Sequence, residues 1–289
     1  MPPTAKPERK KVTIPDIQAK KEAGRPITMV TAYDYPTGLL VDRAGIDMLL
    51  VGDSLAMVVL GLESTTPVTM EEMLHHCRAV ARGAKRPLLV GDLPFLSYHC
   101  SVPQAIENAG RFLKEGNMDA VKLEGGKERA PVVRAIVEAG IPVFGHIGLT
   151  PQTTSQLGGF RVQGKSVEAA AGLIEDALAL EEAGCFALIL EAIPDRVATL
   201  ITKRLRIPTI GIGAGPNCDG QVLVLHDMLG MFDRFTPKFV KKYASFFDMG
   251  VEALQAYIRD VESGAFPGPE HGYAMSDEVY DALLKRLEK

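Results

Sequence analysis

The sequence has no tryptophan, and only 6% of its 289 residues are aromatic. That leaves too few flat rings for the stacking platforms of single-stranded nucleic-acid binders. A basic excess is also missing. Lysine and arginine number 32 against 36 acids, a net charge of −4, so no electrostatic footprint marks a nucleic acid or an anionic membrane as partner. No apolar run approaches the roughly 18 residues of a membrane span. Cysteine is scarce: Cys77, Cys100, Cys185 and Cys218 are scattered without a Cys-x-x-Cys pair. That pattern excludes a zinc ribbon or a disulfide framework and reads as reduced thiols in the cytoplasm. Met1 to Lys11 is basic and proline-containing but lacks the apolar core of a secretory signal. Residues 1–12 are therefore expected to form a flexible leader. No Ser-His-Asp or Cys-His arrangement is suggested.

What the chain does have is a repeated pattern. Met48-Leu49-Leu50-Val51 stops abruptly at Gly52-Asp53-Ser54. Leu88-Leu89-Val90 stops at Gly91-Asp92, Ala120-Val121-Lys122-Leu123 at Glu124, and Ala187-Leu188-Ile189-Leu190 at Glu191. Short apolar runs of this kind suit strands buried on both faces. Prolines 26, 87, 142 and 208 each precede another β-prone run, at a position where the missing N–H costs least. The prolines recur every 55 to 66 residues or so, about the length of two βα units.

Helical patterns fill the gaps. Ile14 to Ala23 predicts a short N-terminal helix. Thr69 with Glu72 forms a capping box for a helix to about Ala81. Further helices are expected over Val102–Lys114, Glu128–Ala139, Ser166–Ala183, Asp195–Leu205 and Lys238–Val261. Strand one is expected to run to Tyr33-Asp34, and Val222–Leu225 supplies an eighth strand. Strict alternation with eight strands predicts a single-domain α/β fold, a (β/α)8 TIM barrel over residues 13–274. A doubly wound open sheet is the main competitor. Gly211-Ile212-Gly213-Ala214-Gly215 is not a nucleotide fingerprint; it reads as a tight turn where a ligand can approach the backbone. Val279, Leu283 and Leu287 stand at i, i+4 and i+8, so residues 275–289 predict an amphipathic helical tail.

In a barrel the C-terminal strand ends share one face, and that face carries the active site. Asp53, Asp92 and Glu124 would end adjacent strands, with Glu191 two strands beyond Glu124. A lone acid at a strand end is commonly a turn former or helix cap. Four such acids, each after an apolar run, point instead to a shared site. Three neighbouring carboxylates need positive charge between them. Lys122, on the same side of its strand as Glu124, is one source. A divalent ion such as Mg2+ held by Asp53, Asp92 and Glu124, one of them through water, is the other. A lysine inside an apolar strand is costly unless paired. His146 lies in strand five, where a histidine is commonly a satisfied core residue. An ion and a lysine on a barrel rim suit a 2-oxo acid: its oxygens chelate the ion, which favours the enolate. Glu191 would take the α-proton.

The same residues carry a family resemblance. Thr-Ala-Tyr-Asp-Tyr at 31–35, Val-Gly-Asp-Ser at 51–54, Asp-Leu-Pro-Phe at 92–95 and Lys-Leu-Glu-Gly-Gly at 122–126 are joined by Gly-His-Ile-Gly-Leu-Thr-Pro-Gln at 145–152. Gly-Gly-Phe-Arg-Val-Gln-Gly follows at 158–164, Leu-Glu-Ala-Ile-Pro at 190–194, and Asp-Gly-Gln-Val-Leu-Val-Leu-His-Asp at 219–227. From about Val12 to Tyr273 the chain resembles the ketopantoate hydroxymethyltransferase family. The resemblance implies Mg2+ or a similar divalent ion, and one-carbon transfer from 5,10-methylenetetrahydrofolate to 3-methyl-2-oxobutanoate in pantothenate biosynthesis. It puts the metal site on Asp53, Asp92 and Glu124, substrate binding on Asp53, Ser54, Asp92 and Lys122, and the proton acceptor on Glu191. It also implies a cytoplasmic homo-oligomer, often a decamer. The alternative is a Mg-dependent 2-oxo-acid lyase of the phosphoenolpyruvate mutase and isocitrate lyase type, against which stands the absence of an evident reactive-cysteine loop.

Overall fold

The computed structural model describes residues 10–232 and 234–288; most of the expected leader, residues 1–9, lies outside them. Eight strands, β1 (Ile27–Thr31), β2 (Met48–Val51), β3 (Leu88–Asp92), β4 (Ala120–Glu124), β5 (Val143–Gly148), β6 (Ala187–Glu191), β7 (Thr209–Ile212) and β8 (Gly220–Leu223), pair in parallel in chain order. β8 returns to β1, with Ile27 opposite Gly220, so the sheet closes. Twelve helices accompany them: α1 (Ile14–Glu22), α2 (Tyr35–Ala44), α3 (Leu55–Val58), α4 (Met70–Gly83), α5 (Val102–Lys114) and α6 (Ala130–Glu138), then α7 (Thr154–Leu157), α8 (Val167–Glu182), α9 (Asp195–Arg204), α10 (Leu225–Met228), α11 (Phe246–Ser263) and α12 (Asp277–Leu287). The protein is a (β/α)8 barrel.

The expected capping box holds α4 in place. Thr69 N–H donates to Glu72 Oε2 at 2.8 Å, and Glu72 N–H donates back to Thr69 Oγ1 at 3.2 Å. Inside the barrel, Ile27, Met29, Met48, Leu88, Phe144 and Ile210 form an apolar plug, and Ile17 of α1 joins it from below at 1% exposure. α1 thus stoppers the N-terminal mouth, and only the C-terminal mouth is left for a ligand. A separate apolar layer lies between the sheet and its helices. Lys11 reaches Asp119 at 2.6 Å, and Val12 N–H donates to Arg86 O.

Four elements differ from the sequence reading. β1 ends at Thr31, because Asp34 caps an additional helix, α2: Thr37 N–H donates to Asp34 Oδ1 at 2.8 Å, and Pro36 sits in the first turn. β8 lies two residues earlier than expected, since Leu225 N–H is taken by Thr31 Oγ1 and begins α10. No helix separates β7 from β8. The expected helix from Lys238 starts only at Phe246. The amides of Tyr243, Phe246 and Phe247 donate instead to Met228, Leu229 and Gly230, pinning the preceding segment across the barrel mouth.

α2 and α4 cross closely because Gly83 has no side chain. A Cβ there would overlap the Tyr35 carbonyl oxygen and stand 2.9 Å from the Leu39 nitrogen. Backbone atoms cannot swing aside as a side-chain tip can. Gly83→Ala is expected to destabilise the protein by about 1–3 kcal/mol, read as a lower urea midpoint at unchanged slope. An unchanged midpoint would show that the helices separate freely.

Candidate active site

Strand register assembles the site. On β3 and β4, Asp92 lies opposite Lys122; on β4 and β5, Glu124 lies opposite His146; on β5 and β6, Gly148 lies opposite Glu191. Lys122 and Glu124 are two residues apart, so both point inward. Asp53 is not in β2 but follows it in the turn before α3, and its N–H donates to Asp92 Oδ2 at 3.1 Å. Asp53, Asp92, Lys122, Glu124 and His146 are all buried. They line one cavity of about 350 Å3 with Ser54 and Glu191. All the sequence-derived candidates therefore meet, and none of the four acids serves as a helix cap.

Lys122 holds the centre at 3% exposure. Its ammonium donates to both Asp92 oxygens at 2.8 Å and to Glu124 Oε1 at 3.3 Å. The three carboxyl groups outnumber the one ammonium among them. Burial pushes Asp53 well above the usual carboxylate range, and the Asp92 charge adds to that. Burial acts on Glu124 too, but the neighbouring Lys122 and His146 hold it down at about 2. Burial and Lys122 press His146 downward; the carboxylates of Glu124 and Glu191 outweigh them and raise it to about 9. Its ring nitrogens stand 3.4 Å from Glu124 Oε1 and 3.2 Å from Glu191 Oε2, and neither contact has hydrogen-bond geometry. The link is charge attraction between an imidazolium and two carboxylates.

Two residues without an assigned role on sequence grounds brace the acids. Gln152 donates its side-chain N–H to Asp53 Oδ2 at 3.0 Å and its backbone N–H to Glu124 Oε2 at 3.1 Å. Tyr98 O–H donates to Gln152 Oε1 at 2.7 Å and accepts from Glu124 N–H at 3.1 Å. Ser54 makes no capping bond; its hydroxyl sits 2.8 Å from that of Tyr33, a buried phenol whose pKa burial raises.

A hard divalent ion fits this donor set. Among the described residues no three His, Cys, Asp or Glu side chains are close enough to enclose an ion unaided. Lys122 accounts for the spacing, since its ammonium fills the gap between Asp92 and Glu124. Mg2+ needs no such cage: it takes one or two carboxylates, keeps waters, and accepts substrate oxygens. Asp53 Oδ1 has no partner among the described residues, whereas every other oxygen of the three acids has one. Asp53 is the acid most open to an ion.

The model of the ketopantoate hydroxymethyltransferase family matches residues 11–269. A 3-methyl-2-oxobutanoate hydroxymethyltransferase of Syntrophobacter fumaroxidans is 61% identical over 269 residues, 93% of this chain and 95% of the relative's. The enzyme of the same name from Moorella thermoacetica is 62% identical over 92% of this chain and 99% of its own. That of Nitratidesulfovibrio vulgaris is 51% identical over 99% of this chain and 93% of its own, an alignment that takes in the C-terminal tail. Among solved structures, phosphonopyruvate hydrolase superposes with a TM-score of 0.59 at 13% identity, covering 90% of this chain and 93% of that one. 2,3-Dimethylmalate lyase gives 0.54 at 14%, covering 92% of each. At such identities the likeness is one of fold.

Proposed function

This chain belongs to the ketopantoate hydroxymethyltransferase family, and we propose that its mouth cavity joins 3-methyl-2-oxobutanoate to a one-carbon unit carried by 5,10-methylenetetrahydrofolate, giving 2-dehydropantoate and tetrahydrofolate. The observation that carries the reading is the relatives' shared name over nearly the whole chain, together with the buried acids and lysine at the C-terminal strand ends. Asp53, with Asp92 and Glu124, would hold Mg2+ or a similar ion. When bound, that ion supplies Lewis-acid polarisation of the keto group. Lys122 and Ser54 face the substrate carboxylate. Glu191 takes the C3 proton, and His146, between Glu124 and Glu191, steers it as a positioning residue. Water displaces both folate nitrogens from the methylene carbon, the nitrogens take up protons, and tetrahydrofolate leaves; C3 attacks the resulting formaldehyde-level carbonyl carbon, whose oxygen is protonated to the new hydroxyl. The lyase alternative has only fold likeness to support it.

The reading extends to compartment and assembly. No described helix is long and apolar enough to cross a membrane. The four cysteines are free thiols, which supports a reducing cytoplasm. Neither α11 nor α12 has a buried residue, although α11 presents Phe247, Met249, Leu254, Tyr257 and Ile258. Such uncovered apolar helices support a homo-oligomer; the decamer comes from the family resemblance.

The test is deuterium uptake at C3 of 3-methyl-2-oxobutanoate in heavy water. Uptake is expected with Mg2+, to collapse on chelation, and to lead to product only when methylenetetrahydrofolate is added. Uptake undiminished by chelator would remove the ion from the reading. Cleavage of a 2-oxo acid without folate would favour the lyase.

A further inference from the structure

The connection between α3 and α4 leads the chain away from Asp53 and Ser54. Leu62 N–H donates to Ala56 O at 2.8 Å, which folds this loop back on α3. Three hydroxyl residues follow one another there, Ser64, Thr65 and Thr66. The flanking two pair with each other at 3.0 Å. Thr65, between them, is 2% exposed and lines the cavity. Its Oγ1 has no hydrogen-bond partner among the described residues. A buried hydroxyl without a partner is costly. No contact among the described residues offsets that cost, so the missing partner is one that enters the cavity.

The cavity is short of open donors. Asp53, Asp92, Glu124 and Glu191 all line it. The three N–H groups of Lys122 go to Asp92 and Glu124. Ser54 Oγ stands 2.8 Å from the Tyr33 hydroxyl, and Thr31 Oγ1 accepts from Leu225 N–H at 3.0 Å. Of the buried hydroxyl and ammonium groups that line the cavity, only Thr65 Oγ1 is without a partner among the described residues. An anion brought here meets like charge unless donors or a cation offset it. A hydroxyl that donates to a carboxylate makes a stronger bond than to a neutral acceptor.

We propose that Thr65 is a further substrate-binding residue whose hydroxyl donates to the carboxylate of the bound 2-oxo acid, an inference that rests on the proposed function. Leu50, Met57 and Val58 line the cavity with it, and an apolar setting strengthens such a bond. The loop does not need the hydroxyl to hold its shape. Thr65 O accepts from Val68 N–H at 3.3 Å, and Arg234 donates to Gly61 O at 3.0 Å. Those contacts fix the loop through its backbone, and the Thr65 hydroxyl is left for the ligand.

The test titrates intact protein with Mg2+ alone and then, at saturating Mg2+, with 3-methyl-2-oxobutanoate. Thr65→Val keeps the side-chain shape and the backbone bond to Val68 and removes the hydroxyl. It is expected to weaken the oxo acid about tenfold and to leave the affinity for Mg2+ alone unchanged. Its urea midpoint without substrate should not fall, because the lost hydroxyl had no partner in the fold. Thr65→Ser restores the hydroxyl and should bind the oxo acid within a few-fold of wild type. Wild-type affinity in the Val protein would overturn the contact, as would a Ser protein as weak as the Val protein. A lower midpoint in the Val protein would show that the hydroxyl has a structural partner, and weaker Mg2+ alone would move it to the ion; either result overturns the carboxylate contact. A wild-type protein that neither binds the oxo acid nor exchanges its C3 deuterium would overturn the proposed function and this contact together, a distinct result.

Discussion

A Lys122→Met protein is expected to unfold about 3–5 kcal/mol more easily than the wild type when divalent ions are chelated, and to lose turnover. Methionine nearly preserves the volume and the apolar stem, so packing changes little. The charge is what disappears. The Lys122 ammonium donates to Asp92 at 2.8 Å and to Glu124 at 3.3 Å, and these groups are almost fully buried. Without it, Asp53 and Asp92 lose the cation between them and Glu124 keeps only the His146 imidazolium, and breaking a buried ion pair from one side leaves its partners uncompensated. A divalent ion should then matter more to the variant than to the wild type. Excess Mg2+ is expected to recover more of the variant's lost stability, because binding to the folded state alone shifts unfolding by mass action. Urea unfolding with chelator and with Mg2+ reads both effects. A variant as stable as wild type under chelation would mean that the acids are already neutral, and the charge balance described here would be wrong.

The site was legible where local periodicity carried it. Lys122 and Glu124 stand two apart in an apolar strand, so any reader of strand periodicity puts both on one side. Asp92 and Glu191 end runs too apolar to be loops. The alternation of strand and helix was enough for the closed barrel, and the Thr69–Glu72 box for the start of α4. Other features depend on contacts between distant stretches. Gln152 touches Asp53 across 99 positions of sequence, from a loop with no periodicity to expose it. Tyr98 reaches Glu124 and Gln152 from another loop. The segment before α11 reads as helix by composition, but its Tyr243 N–H donates to Met228 of α10, a tertiary choice that local preference does not register. Asp34 shows the opposite case. Its cap signal, with Thr37 three residues on and Pro36 between, was present in the sequence and was hidden by the apolar run before it.

Glu191→Gln is expected to slow C3 proton exchange about 10²–10⁴-fold while shifting the affinity for 3-methyl-2-oxobutanoate by no more than a few-fold. The substitution keeps size and shape but removes the group that accepts a proton. Glu191 closes β6 and lines the cavity with a side chain 15% exposed, against 2% for Glu124, whose oxygens are taken by Lys122 and Gln152. Its Oε2 stands 3.2 Å from His146 Nε2, while the other ring nitrogen faces Glu124. With His146 raised to about 9 by those two carboxylates, the ring is largely an imidazolium at neutral pH. It fixes where Glu191 points without competing for the proton that Glu191 receives. Asp53, Ser54, Asp92 and Lys122 are untouched by the change, which is why binding should hold while exchange falls. His146→Gln should show the same split more weakly, since it loosens the base without removing it. Proton exchange followed by NMR, alongside oxo-acid titration, separates the two quantities. Wild-type exchange in the Gln protein would defeat Glu191 as the base and leave the proton to another group in the cavity.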